Sequence, residues 1–308
     1  MKATTLLSLL FIVPGFVCAQ KTGTTFRNTK DSSANYYVTV EPVGTPKGLL
    51  VLLPGFGELP ESAYVETELP KEATQRGLVT AIITLQQGWQ SFYIDEASQQ
   101  TIGEVIREIQ DRYKLAGKKL YLGGFSLGGS GAVRYAERAS AHAALPKPNA
   151  VFAGDPPLDF VRFYEAALHQ RKYGKVAVAV NEASFLIDRM DKEFGGPPTR
   201  KFSQYVALAP YCRADTMNSN ADLLKNMPIR LISEPDLVWQ LTERNRDLYD
   251  LNTIDCVGLI NYLRTTGNMN AVFVPTSGKG YRKQQKNRNP HSWSIIDPKE
   301  TLDWLMHF

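Results

Sequence analysis

One stretch narrows the folds open to this chain more than any other. Lys119 to Gly131 reads Lys-Leu-Tyr-Leu-Gly-Gly-Phe-Ser-Leu-Gly-Gly-Ser-Gly, a short apolar run that drives straight into Gly124-Phe125-Ser126-Leu127-Gly128. Leu120 to Leu122 reads as a strand and Ser130 to Ala139 as a helix. A serine held on so sharp a strand-to-helix turn brings its backbone against the residues two before and two after it, where any Cβ clashes. Glycine stands at both positions. The turn lifts the Ser126 hydroxyl above the sheet and aims the first helical amide, Leu127 N–H, at whatever reacts with it. Five residues of this kind also describe a flexible Gly/Ser turn. The strand before and the helix after make the pattern a G-x-S-x-G nucleophile elbow.

Such a turn needs a sheet around it, and the flanking segments supply one. Tyr36 to Val40 alternates like a strand, Pro42 to Lys47 carries turn residues, and Gly48 to Leu53 is an apolar run ending at Pro54-Gly55-Phe56-Gly57. Thr67 to Arg76 reads as a helix closed by Gly77, then Leu78 to Leu85 as a strand. A loop rich in Gln, Trp and Tyr (Gln86 to Tyr93) could border a cleft, and Ile102, Val105, Ile106 and Ile109 repeat at helical spacing. Strands alternating with helices imply right-handed crossovers and a mainly parallel central sheet flanked by helices, an α/β class. Asn149 to Ala153 and Ile229 to Ile232 are further strands, separated by about seventy residues, far more than an ordinary crossover. The apolar and aromatic content of that link (Phe160, Phe163, Tyr164, Phe185, Phe194, Tyr205) predicts a mostly helical cap over about 155–227 that overhangs Ser126. Ala271 to Val274 is the last strand. A polar loop with Lys279, Arg282, Lys283, Lys286 and Arg288 follows, then Asn289-Pro290-His291-Ser292-Trp293 and a final helix, Pro298 to Met306.

At 308 residues and 43% hydrophobic content, the chain suits one large domain carrying an insertion. A net charge of +4 without a long basic tract or a recognition motif argues against nucleic acid as a partner. Residues 1–19 read as a signal peptide: Lys2, an apolar segment Leu6 to Val13, and Val17-Cys18-Ala19 before Gln20. The mature chain, 20–308, is therefore expected outside the cytoplasm, secreted or periplasmic. The apolar run is too short to span a membrane and is broken by Pro14 and Gly15, so no transmembrane anchor is expected in the mature form. Cys18 raises a lipoprotein alternative that Phe16 and Val17 fit badly. Cys212 and Cys256 remain after cleavage, and an oxidising compartment leaves a disulfide and two buried thiols both open.

A serine hydroxyl needs a base to take its proton, and the base needs a carboxylate to fix its tautomer. Of the four histidines, His142 ends the post-elbow helix, His169 lies in the cap and His307 in the terminal helix. Only His291 sits on a loop after a strand. Acids follow two strands: Asp155 after Asn149 to Ala153, and Glu234 and Asp236 after Ile229 to Ile232. No zinc-ligand cluster or phosphate-cradling loop competes.

The elbow at 124–128, Pro54-Gly55-Phe56-Gly57 after its strand, an acid after the penultimate strand and His291 after the last one resemble the α/β-hydrolase fold over about residues 36–308. Proline stands where many members have the histidine of a His-Gly pair, and the His291 loop is long. The Pro-His-Ser-Trp setting is similar to that of secreted esterases and feruloyl-esterase-like members. The resemblance implies ester hydrolysis by a Ser126–His291–acid triad, no metal or organic cofactor, and an oxyanion hole from Leu127 and Phe56 N–H. The substrate it implies is a small-molecule or carbohydrate-linked ester. It places the acid after the penultimate strand. There, Pro235 biases Glu234 toward extended backbone, and Asp236 falls where the chain must turn. Asp236 is the expected acid, with Glu234 and then Asp155 as alternatives. A secreted peptidase and a non-catalytic binding protein are the rival classes on the same fold. The basic loop before His291 would border the cleft and favour anionic substrates, unless it is a solvated tip.

Overall fold

The computed structural model describes residues 21–28, 30–217 and 219–308. The segment read as a signal peptide lies outside the described residues. Eight strands form one sheet: β1 (Lys21–Phe26), β2 (Tyr36–Glu41), β3 (Gly48–Leu53), β4 (Leu78–Ile83), β5 (Lys119–Phe125), β6 (Ala150–Gly154), β7 (Ile229–Ser233) and β8 (Ala271–Pro275), in the order β1-β2-β4-β3-β5-β6-β7-β8. β2 runs against both its neighbours, and from β4 to β8 every pairing is parallel. The reason lies in the apolar runs. In β3, Leu49, Val51 and Leu53 enter the core on one face, and Leu50 and Leu52 the core on the other. Strands buried on both faces suit a parallel sheet sandwiched by helices.

Helices α1 (Pro60–Glu66) and α2 (Leu69–Gln75) contribute Ala63, Leu69 and Ala73 to the face of Leu50 and Leu52. The helix expected over Thr67 to Arg76 is α2, which has Pro70 near its start, where proline is tolerated, and α1 precedes it as a separate short helix. Helices α3 (Glu96–Arg112) and α4 (Leu127–Ala141) cover the opposite face through Ile102, Val105, Ile106, Ile109, Ala132 and Val133.

The long link between β6 and β7 holds α5 (Phe160–Tyr173), α6 (Ala177–Phe194) and α7 (Pro198–Leu208). Their apolar sides share one cluster with Phe92 and Leu127, and Phe194 stacks on Tyr205 with centroids 4.0 Å apart. After β7 come α8 (Leu237–Trp239), α9 (Thr253–Thr265) on the α3/α4 face, and α10 (Pro298–Leu305) on the α1/α2 face. The link is bolted to α9 by a buried bidentate pair, Arg162 Nε to Asp255 Oδ1 at 2.6 Å and Nη2 to Oδ2 at 2.7 Å. Asp255 Oδ2 also accepts from the Leu158 and Asp159 amides at 3.0 and 3.1 Å, which fixes the turn that leaves β6. Losing one partner of such a pair strands a buried charge, typically at about 3–5 kcal/mol.

Cys212 and Cys256 are free and buried, so the disulfide left open by the sequence is not formed. Burial pushes the Cys212 thiol up to about 11. Among the described residues no helix is long and apolar enough to cross a membrane.

Candidate active site

The sheet order reverses at β3, which has β4 on one side and β5 on the other. Doubly wound sheets open a crevice at the C-terminal ends of their strands at such a point. β3 ends there in Pro54-Gly55-Phe56, β5 in Ser126 and β6 in Asp155.

Ser126 has φ 53° and ψ −126°, a strained left-handed conformation. The backbone pays no Cβ clash for it, because a Cβ on Gly124 would strike Gly128 and Gly129, and one on Gly128 would strike the Leu53 and Pro54 carbonyls. Ser126 N–H donates to Gly154 O at 2.8 Å, and α4 begins at the next residue.

His291 joins the strand ends. Its Nε2 lies 3.0 Å from Ser126 Oγ and its Nδ1 2.6 Å from Asp155 Oδ2. A carboxylate only accepts, so the ring proton belongs on Nδ1 and Nε2 faces the serine hydroxyl as acceptor. The ring lies over Phe125, centroids 4.7 Å apart, and its backbone N–H donates to Asn289 Oδ1 at 3.0 Å.

The carboxylate at His291 is therefore that of Asp155, and the expectation for Asp236 is corrected. Asp155 Oδ1 accepts from Ser233 Oγ at 2.6 Å, which leaves Ser233 Oγ to accept from Thr253 Oγ1 at 2.5 Å. Asn252 Nδ2 donates to the Asp155 carbonyl at 3.0 Å. Asp236 instead caps α8 by accepting from Trp239 N–H at 3.2 Å and pairs with Arg288 Nη2 at 2.5 Å. Glu234 is not at the histidine either. Its buried carboxylate accepts from Thr276 Oγ1 at 3.1 Å, Lys279 N–H at 2.9 Å, Gly280 N–H at 3.1 Å, and Arg288.

These bonds explain the long basic loop. It contains a small hairpin, β9 (Tyr281–Arg282) with β10 (Asn287–Arg288), and is not a free tip. Buried Glu66 accepts from the Lys283 and Gln284 amides at 2.9 and 3.0 Å, and Lys283 Nζ donates to Glu68 at 2.9 Å. Lys283 and Arg288 are thus paired, while Arg282 lines a cleft beside Ser126 and His291.

The Leu127 and Phe56 amides, expected as oxyanion donors, have no acceptor among the described residues. Both residues line one cavity with Ser126 and His291. Glu58 ties the Phe56 turn to the histidine loop, accepting from Gly55 N–H at 3.0 Å and Trp293 Nε1–H at 2.9 Å. Burial pushes its pKa up against the opposing pull of those two bonds. The Phe56 ring meets Trp89, Phe92 and, from α6, Phe185, at centroid distances of 5.8, 6.2 and 5.6 Å. Trp89 of the aromatic loop thus packs against α6, stacking on Phe185 with centroids 6.2 Å apart.

Ser126 sits between two compartments. One is a cavity beside the link helices, walled by Phe163, Ala166, Ala167, Ala183 and Leu186, with Gln240, Arg246, Asp250 and Asn252 also on its lining. The other is the polar cleft toward the hairpin, with Glu58, Arg282, Gln284 and Asn287. Sequence reading did not find Ser233, Thr253, Asn252 or Arg246, none of which belongs to a local motif. His169 is paired with Asp250 at 2.8 Å, not with the serine. Among the described residues, no group of three or more His, Cys, Asp or Glu side chains is placed to hold a metal ion.

No protein-family model matches the sequence, and no curated protein matches it. Solved structures do resemble it. An S-formylglutathione hydrolase from Agrobacterium tumefaciens is 11% identical over 94% of this chain and 98% of its own, with a TM-score of 0.56. Carboxyl esterase 2 from the mycorrhizal fungus Tuber melanosporum is 12% identical over 96% and 84%, with a TM-score of 0.58. The substrate-bound, fluorophosphonate-binding serine hydrolase F of Staphylococcus aureus is 13% identical over 93% and 98%, with a TM-score of 0.56. At these identities the likeness is one of fold, and the chain has the α/β-hydrolase fold.

Proposed function

We propose that the chain is a serine hydrolase that cleaves carboxylic esters through an acyl-enzyme. The observation that carries this reading is His291 bridging Ser126 Oγ at 3.0 Å and Asp155 Oδ2 at 2.6 Å on a strained elbow. Ser126 Oγ attacks the ester carbonyl as His291 Nε2 takes its proton, and the Leu127 and Phe56 amides bind the resulting oxyanion. The imidazolium is stabilised by Asp155 and returns the proton to the leaving alkoxide. Water then enters by the same route, His291 takes its proton, and the acyl group leaves Ser126 as an acid. The names of the structural neighbours support a hydrolase, and their esterase members favour esters over peptides. A carbohydrate-linked or feruloyl ester would place its leaving group in the polar cleft. Export of the mature chain rests on the sequence of residues 1–19 alone.

A panel of nitrophenyl esters of rising chain length, a feruloyl ester and a peptide amide tests the reading. Esters should be turned over, and Ser126→Ala should lose on the order of 10⁴-fold or more while its melting temperature holds. Turnover retained by clean Ser126→Ala protein would sink the mechanism. A preference for the amide would transfer the chain to the peptidases.

A further inference from the structure

The cavity that Ser126 lines also has an arginine on its lining that the triad does not use. Arg246 Nε donates to Gln170 Oε1 at 2.5 Å, and Gln170, on α5, is itself buried. That bond fixes the guanidinium plane by its inner edge. Neither Nη group makes a hydrogen bond or ion pair among the described residues, although Arg246 lines the cavity. Desolvation is the largest influence on Arg246 and holds its pKa below the usual arginine value.

A second, independent feature lies on the same wall. Gln240 is only 6% exposed, lines the cavity, and has an Oε1 that is buried without a partner. Its amide makes no hydrogen bond among the described residues, and since the O and N of such an amide are interchangeable in placement, it can offer N–H as well. Buried polar groups are ordinarily satisfied, so an unsatisfied amide beside an unpaired guanidinium marks a place for something that brings acceptors.

The negative groups of the wall do not fill that role. Asp250 is held by His169 and by the Asp247 N–H, and Asp155 by His291 and Ser233. Glu182, exposed on α6, acts on Arg246 more strongly than either, yet among the described residues it forms no ion pair with it. The remainder of the cavity is apolar, with Phe163, Ala167 and Leu186 among its lining.

We propose that Arg246, oriented by Gln170 and flanked by Gln240, is an anion subsite, and that the preferred substrate is an ester whose cavity-bound part ends in a carboxylate. The inference rests on the ester-hydrolase reading. A planar fork matches a carboxylate through two parallel N–H···O bonds. Asp250 and Glu182 in the lining disfavour a dianionic phosphate more than a singly charged carboxylate. The apolar walls take the methylenes between the ester and the acid.

Two esters of similar length decide it: 4-nitrophenyl hemiglutarate and 4-nitrophenyl pentanoate, each corrected for its rate with Ser126→Ala. The ratio of kcat/KM should favour the hemiglutarate by about tenfold or more, and Arg246→Met should lower that ratio about 10- to 100-fold, the range of a charge-assisted pair. Gln240→Glu should lower it by placing a competing carboxylate on the wall, and Glu182→Gln should raise it. These two variants carry the test if Arg246→Met does not fold. A wild type that prefers the pentanoate, or an Arg246→Met protein that slows both esters in proportion, overturns the subsite. If neither ester is hydrolysed, calorimetry of monomethyl glutarate with Ser126→Ala separates the two readings. Binding that disappears on adding Arg246→Met keeps the subsite without the esterase, and no binding removes both.

Discussion

Two turns at the same edge of the sheet, on adjacent strands, carry acids beside prolines and meet opposite fates. Gly154-Asp155-Pro156 leaves β6, and Ser233-Glu234-Pro235-Asp236 leaves β7. Both aspartates have positive φ, 45° and 29°. Only Asp155 keeps an oxygen for the histidine, because its other one is occupied by a neutral hydroxyl, Ser233 Oγ, at 2.6 Å. The acids after β7 are taken up by Arg288 and by loop amides. A carboxylate at the right strand end becomes a partner for the base only when no cation has claimed it. The two turns also cooperate, since the first polarises His291 and the second holds the loop that delivers it.

Breaking this division should give a graded series. Asp155→Asn should lower kcat on the order of 10⁴-fold with little change in melting temperature, since an amide can present the wrong partner to Nδ1. Equal damage from Asp236→Asn with a near-normal Asp155→Asn would reverse the assignment. Glu234→Gln weakens several bonds to the histidine loop and removes the charge facing Arg288. It should cost about 10- to 100-fold in kcat and lower the melting temperature, each charged hydrogen bond contributing about 1.5–3 kcal/mol. A stable, fully active Glu234→Gln protein would show that the loop holds itself. Ser233→Ala removes one bond to Asp155 and should cost about tenfold in kcat/KM, with Ser233→Thr restoring part of it. Asp236→Asn should be the mildest, within about threefold in steady-state assays, because it touches only an exposed cap and one side of Arg288.

The same contrast shows what the sequence could and could not disclose. The elbow was legible because its glycines answer a local clash, and the parallel strands because β3 to β7 are apolar on both faces. His291 was legible by elimination. Asp155 was ranked last because the resemblance places the acid after the penultimate strand, one strand later; its turn opens the long link to β7, where the Leu158 and Asp159 amides are held by Asp255. Nothing local distinguishes it from Asp236. The cation that removes Asp236 from contention lies fifty-two residues away. β1 gives no strand signal because its Lys-Thr-Gly-Thr-Thr-Phe sequence lies at the sheet edge with mostly exposed side chains. The β9/β10 hairpin is too short and too polar to announce itself, and Arg246 shows its role only once Gln170 is seen to hold it.

The doubly anchored hairpin has a consequence for how the molecule can lose activity. The amides of Lys279 and Gly280 are held by Glu234, and those of Lys283 and Gln284 by Glu66, which lies more than two hundred positions before them. All four are shielded by side chains, not by the sheet ladder. Their hydrogen exchange therefore reports a sub-global opening that need not disturb the core strands. Each such opening carries the base away from an intact nucleophile, so the lifetime of the catalytic assembly is the lifetime of this clamp, and a protease cut within 283–286 would silence the chain while its sheet still stands folded.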